Sequence, residues 1–443
     1  MAECITSLDP GIIADVKQLL WGDDLKDEVF LRWMQGFAFS ENESTALVQY
    51  EGGPCAVIAP VQGFVIKNAL FSQHPVEDLS QVTVEESTEL LLQALCDIFV
   101  HVSSGAYTIL SLEHGSCDSN NQSESSNQSE AGESSCKKSR LDQEMFHSKL
   151  RCTKCLDEDM LRRNMKTSIE EFMGPSGVLL YLYSIIITKG IEQIKNEVED
   201  PGEPLIDGIY GHGSQSLINL LITSKAVTNV WDNDKDVSGL KLHGVCKRAY
   251  IGFLSFMEHL RYCEVGWNLK NPEYPVWLIG SETHLTVLFS KNKNLVITET
   301  LESSARRIFQ SFDPEGNGFI ATIVLGDLLA ALDLVSDKEY VDIMASKLDS
   351  ENLGIITQNS FFEEFFAGET TPEVPKKFTL YHYNGLPRSC HDKKVMYHEC
   401  SAVLQDDIEV QLLSDVTPMK MVLLTKWPTI EVKWKEDIIP SLN

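Results

Sequence analysis

The chain has 443 residues and a formal net charge of −28, with 43% hydrophobic and 23% charged residues, the balance of a soluble globular protein of roughly two to three domains. A carboxylate surplus of this size repels phosphate backbones, and no basic cluster interrupts it, so nucleic-acid binding is not expected. The most apolar run, Val178 to Ile187, is about half the length that spans a bilayer, which argues against a membrane partner.

The first residues, Met-Ala-Glu-Cys-Ile-Thr, lack the basic start and long apolar region of a secretory signal. The eleven cysteines are odd in number and irregularly spaced. They read as reduced thiols of an intracellular protein, in the cytoplasm, the nucleus or both. No cofactor is expected.

In chain order, Asp9-Pro10 reads as a helix cap with proline at the first helical position, followed by Ile12, Ile13, Val16, Leu19 and Leu20 on one face, with Gly22 as the stop. Phe30, Trp33, Phe37 and Phe39 are assigned to packing.

Residues 48–63 come next. Gly52, Gly53 and Pro54 suit a turn, and the apolar run after Cys55 suits a buried helix to about Leu70, with Pro60 tolerable if it falls in the first turn. That places the Cys55 sulfur at the unpaired N–H groups of a helix start, where a thiol loses its proton more easily and becomes a nucleophile. Gln49 lies six residues upstream. Its side-chain amide and the Cys55 backbone N–H form a candidate pair of oxyanion donors. The plainer alternative is a buried cysteine at a tight turn.

Glu85 to Val102 form an amphipathic helix with Leu91, Leu95, Ile98 and Phe99 on one side, and a strand Tyr107 to Leu112 follows. Residues 113–140 are mostly Ser, Asn, Gln, Glu and Gly and read as a disordered insertion. Cys152-Thr-Lys-Cys155 is a lone pair without a second pair or nearby histidines, so no metal is assigned to it. Thr167 to Glu171 read as a capping-box-like helix start, Val178 to Ile191 as a buried helix, 200–213 as a loop and Tyr250 to Tyr262 as a helix. Two strands, Val276 to Ile279 and His284 to Ser290, flank a turn at Gly280-Ser281-Glu282. This puts His284 on fixed backbone beside a turn, as a general base requires; the alternative is an ordinary strand-edge histidine. Asn292 falls on the His284 face if the alternation continues, and is a candidate to orient the imidazole.

From Asp313 the chain resembles a calcium loop. Oxygen side chains stand at positions 1, 3 and 5 (Asp313, Glu315, Asn317), with glycine at 6 and Ile320 at 8. Position 12 is Val324 where a bidentate glutamate is needed, and position 9 is Ala321. A second loop starts at Asp349, 349 − 313 = 36 residues on, with Leu353 at position 5 and Ser360 at position 12. The reading is a degenerate EF-hand-like pair over 301–369, inserted into the main domain and packing loop against loop without calcium. After a linker at 370–375, Phe378 to Tyr383 and Thr429 to Trp434 alternate as late strands of the main domain. The domains are thus 1–300, the insertion 301–369, and 370–443 completing the first.

With Cys55 and His284 placed, the chain resembles the MINDY family of deubiquitinases. The motifs that carry the likeness are Phe-Ala-Phe-Ser at 37–40, Gln-Tyr-Glu-Gly-Gly-Pro-Cys at 49–55, Tyr-Gly-His-Gly-Ser-Gln-Ser-Leu-Ile-Asn-Leu-Leu at 210–221, Ala-Val-Thr-Asn-Val-Trp-Asp at 226–232, Gly-Ser-Glu-Thr-His-Leu-Thr-Val at 280–287 and Thr-Lys-Trp-Pro at 425–428. The resemblance implies an α+β, papain-like cysteine protease fold, with Cys55 as nucleophile, His284 as general base and Gln49 in the oxyanion hole. It also implies hydrolysis of polyubiquitin, with a preference for chains linked through ubiquitin's lysine forty-eight. The spacing departs from the papain pattern: 284 − 55 = 229 residues against roughly 130–150. Two rival readings stand beside it: a scaffold whose EF-hand-like pair is the working part, which asks nothing of Cys55 or His284, and an inactive ubiquitin-binding relative that shares the fold.

Overall fold

The computed structural model describes residues 6–103, 105–113, 142–237, 239–296, 301–313, 317–366, 374–405 and 416–443. The stretch read as disordered, 113–140, lies outside these apart from its first residue, as do Glu315 and residues 370–373 of the linker. Residue contacts divide the chain into two units, Met1–Val296 with Lys376–Asn443, and Ile297–Pro375.

The first unit mixes helices with a six-stranded sheet. The strands are β1 (Gly252–Ser255), β2 (Val276–Gly280), β3 (Leu285–Phe289), β4 (Lys377–Tyr383), β5 (Tyr397–Leu404) and β6 (Ile430–Trp434). Their order across the sheet is β6-β5-β4-β3-β2-β1. All neighbours run antiparallel except β1 and β2, which are parallel with Phe253 opposite Leu278. β2 and β3 are buried at every position, as strands covered on both faces are.

A group of helices packs on that sheet through its first member. Helix α1 (Cys55–Phe71) packs on β2 and β3. It has almost no polar face because its flanks are covered by α2 (Val84–Val102) and α5 (Gln215–Thr223). Pro60 is its sixth residue and buried, beyond the first turn, where a missing N–H costs no hydrogen bond. Helix α2 opens on a complete capping box, Thr83 with Glu86, which satisfies two orphan N–H groups at once. Helix α3 (Glu158–Met173) and α4 (Gly177–Lys189) complete the layer. The core gathers Trp21, Trp33, Phe37, Phe99, Phe172 and Tyr181, all nearly inaccessible. Cys152 and Cys155 lie on one strand, Leu150–Cys155, and a spacing of three sends their side chains to opposite faces.

Several sequence expectations are corrected. Thr167 does not start a helix: Asp157 caps α3 through Met160 N, and Thr167 lies mid-helix with its hydroxyl on Arg163 O. The Val178 to Ile191 helix ends at Lys189, because Gly190 at φ 94° breaks it before a short helix Ile191–Glu197. Tyr250 to Tyr262 is the strand β1 followed by one helical turn, Phe256–His259. A strand buried on both faces shows a continuous apolar run that periodicity cannot separate from helix. The strand β5, unread in the sequence, alternates only weakly because polar His398 shares the face of buried Cys400 and Ala402, while apolar Val403 shares the face of Glu399 and Ser401.

The second unit has two helix–loop–helix pieces. Helix Leu301–Phe312 leads to strand Phe319–Ala321, and Lys338–Leu348 leads to strand Ile355–Thr357. The two strands pair antiparallel with Ile320 opposite Ile356. Phe309, Ile320, Leu328, Ile356, Phe361 and Phe362 form a separate core. The aspartates at the two loop starts are engaged by protein donors. Asp313 accepts Asn317 N at 2.9 Å and Gly318 N at 2.7 Å. Asp349 accepts Leu353 N, Gly354 N and the Thr322 hydroxyl.

Candidate active site

Cys55 is the first residue of α1, and His284 directly precedes β3. Because α1 packs on β2 and β3, the two residues line one cleft of about 180 Å3, together with Ala56, His212, Gly213 and the Ser281–Leu285 turn. Both are largely enclosed: Cys55 is 5% exposed and His284 7%.

The histidine is held from three sides. Its backbone N donates to Ser281 Oγ at 3.0 Å, and its carbonyl accepts Ser281 N. Its ring Nε2 lies 2.9 Å from Asn384 Oδ1. The orientation of that amide is fixed independently, since Asn384 Nδ2 donates to Ser441 O and Leu386 N donates to Asn384 Oδ1. Oδ1 therefore faces the ring as an acceptor, Nε2 carries the proton, and Nδ1 keeps the lone pair. Burial lowers the His284 pKa; the Asn384 bond opposes this and the nearby Arg388 charge adds to it. The ring is neutral at neutral pH, as a base must be.

Asn384 is the site residue that sequence reasoning missed. It closes β4, the strand next to β3 in the sheet, 100 residues from His284. Asn292, the earlier candidate, is corrected: its Oδ1 accepts Asn294 N in a turn past the far end of β3. The five residues of β3 separate it from His284, which sits at the strand's other end.

The thiol differs from the expectation of an activated nucleophile. Cys55 Sγ donates to Gly53 O at 3.7 Å, and among the described residues no hydrogen bond joins it to His284. Burial pushes the thiol up to about 11, offset in part by backbone N–H groups of Leu285, Ala56 and Cys55 itself. Desolvation outweighs the helix start here, so the resting site holds a neutral thiol beside a neutral imidazole.

Gln49 is buried, its backbone N donating to Gly385 O at 2.7 Å. This ties it to the turn that follows Asn384. Its side-chain Nε2 donates to Glu51 O at 2.8 Å, and it is not among the residues lining the cleft. Gln35 latches the same loop, accepting Tyr50 N and donating to Glu51 O.

The family model for the deubiquitinating enzyme MINDY-3/4 conserved domain matches residues 17–311. Ubiquitin carboxyl-terminal hydrolase MINDY-3 of Homo sapiens is 47% identical over 441 residues, covering 97% of this chain and 99% of its own. This chain belongs to the MINDY family of deubiquitinating enzymes. The MINDY-3 homolog of Drosophila melanogaster is 41% identical over 99% of this chain and 84% of its own length. Probable MINDY-4 of Bos taurus is 31% identical over 70% of this chain, which is 39% of that protein. No solved structure matches. Cys55, His284, Gln49 and His212 fall inside the matched family domain, and Asn384 falls beyond it.

Proposed function

We propose that this chain is a cysteine isopeptidase that hydrolyses polyubiquitin, with Cys55 as nucleophile and His284 as general base. The observation that carries the reading is the shared cleft of Cys55 and His284, with Asn384 holding the ring so that Nδ1 is free. The helix–sheet juxtaposition of thiol and imidazole, with the asparagine on the adjoining strand, supports the papain-like description of the fold.

In the mechanism, His284 Nδ1 takes the thiol proton once substrate displaces the Gly53 contact. The thiolate then attacks the carbonyl carbon of ubiquitin's C-terminal glycine. The Cys55 N–H, at the open start of α1, and the Gln49 amide after it turns from Glu51 O stabilise the oxyanion. The imidazolium returns its proton to the departing lysine amine, which breaks the isopeptide bond and leaves a thioester. Water, deprotonated by His284, hydrolyses that thioester and restores the thiol. A chain linked through ubiquitin's lysine forty-eight is the proposed substrate, on the family resemblance. The Ile297–Pro375 unit is read as an EF-hand-like pair, with Asp313 and Asp349 each accepting backbone amides of its own loop.

Treatment of the purified chain with an electrophilic ubiquitin probe, and separately with polyubiquitin of defined linkage, tests the assignment. Cys55→Ala abolishes both labelling and cleavage. Labelling that survives in Cys55→Ala sinks it, and binding without turnover by the unmodified chain favours the inactive relative.

A further inference from the structure

The cleft holds a second imidazole. His212 lines it with Cys55 and His284, yet its Nδ1 is buried with no hydrogen-bond partner among the described residues. The loop that carries it is otherwise fully tied down. Asp207 N donates to His212 O, Gly211 N to Asp207 O, and Ile209 N and Tyr210 N to the Asp207 carboxylate. Arg32 and Trp33 side chains hold the carbonyls of Tyr210 and Gly211. The bridge Ile206 to Gly213 closes the loop. Gly213 brings it hard against the start of α1: a Cβ there would stand 2.3 Å from Ala56 Cβ.

A loop pinned at so many backbone groups fixes its side chain at little further entropic cost, so an unsatisfied ring nitrogen on it is costly in the free protein. Such a cost persists where a ligand removes it. Burial also lowers the His212 pKa, which keeps the ring neutral with one donor and one acceptor. An extended peptide offers both complements along its backbone. His212 and Gly213 line the cleft that holds Cys55, so a tail that fills this cleft with a glycine carbonyl at the thiol lies against that end of the loop.

We propose that His212 is a substrate-contacting residue, hydrogen-bonding the backbone of the extended ubiquitin tail in the cleft. It faces the tail rather than the thiol, whose base is the Asn384-oriented His284. This rests on the isopeptidase reading and adds to it a residue that reads the substrate backbone.

The test compares His212→Ala and His212→Gln with the unmodified chain in three measurements. His212→Ala lowers kcat/KM for a fluorogenic ubiquitin amide by about tenfold, the size of one lost hydrogen bond to a buried partner. His212→Gln, which keeps a donor and an acceptor, restores most of it. Alkylation of Cys55 by iodoacetamide, which needs no tail, stays within about twofold in both. In a Cys55→Ala background, His212→Ala weakens ubiquitin binding by a similar factor in titration calorimetry, a readout independent of turnover. Unchanged kcat/KM in His212→Ala overturns the proposal. So does a parallel loss of alkylation, which would make His212 part of thiol activation. A chain that never turns over ubiquitin defeats the isopeptidase reading, and the binding measurement alone then decides His212.

Discussion

Asn384→Ala is the substitution that most directly probes how the base is oriented. It deletes the acceptor 2.9 Å from His284 Nε2 and also strands Leu386 N, which donates to the same oxygen. Both donors are enclosed, and an unpaired buried donor costs about 1–3 kcal/mol. Part of that cost falls on stability and part on the ring, which no longer holds one tautomer with Nδ1 toward the thiol. If 1.4–2.7 kcal/mol falls on the transition state, kcat/KM drops about 10- to 100-fold. Asn384→Asp separates acceptor from charge. It keeps the oxygen but adds an anion beside the ring, which favours imidazolium. The base is then lost to protonation at higher pH, so the acid limb of kcat/KM moves up. Measurement with a fluorogenic ubiquitin amide from about pH 5 to 9 reads both effects. An Asn384→Ala chain that stays within twofold of the unmodified one at every pH, with an unchanged melting temperature, refutes this role for Asn384. An Asn384→Asp chain whose acid limb stays where it was refutes it equally.

Two further outcomes are expected. With the Cys55 thiol pushed up to about 11, its alkylation by iodoacetamide in the free protein is slow at neutral pH and still climbing above pH 9, following the thiolate fraction; a plateau near neutrality would contradict this. Burial lowers His101 and His147 to about 4 and His382 to about 3, against about 6.5 unfolded. Between those values the unfolded chain binds more protons, so stability is complete above about pH 6.5 and falls as pH drops toward 4, by about 1.4 kcal/mol per pH unit for each ring. Thermal melts of the chain across that window read the slope, and a flat or rising stability on acidification would refute it.

The parts of the site legible in the sequence are those set by local chemistry. Gly52-Gly53-Pro54 stops one segment and Cys55 opens the helix. The turn at Ser281 presents His284 at a strand start. Asn384 was illegible because its meeting with His284 depends on β4 lying beside β3, a pairing across 100 residues that no local pattern records. The resting thiol was misjudged for a related reason: the helix start can be read from spacing, while the burial that outweighs it is a property of the packed molecule. The run 250–262 hides a strand because β1 is covered on both faces, and β5 is hidden because His398 puts a polar residue on its buried face and Val403 an apolar one on the other.

The place where the second unit departs and returns has its own consequence. Val296 and Lys376 bound it, and β3 and β4 on either side are hydrogen-bonded neighbours, Val287 opposite Tyr383. Seen from the sheet, the 375 − 297 + 1 = 79 residues of that unit lie within one hairpin connection. Loop-closure entropy grows only with the logarithm of length, so a whole folded module can be spliced there, or exchanged for a short turn, without altering the strand register that brings Asn384 to His284.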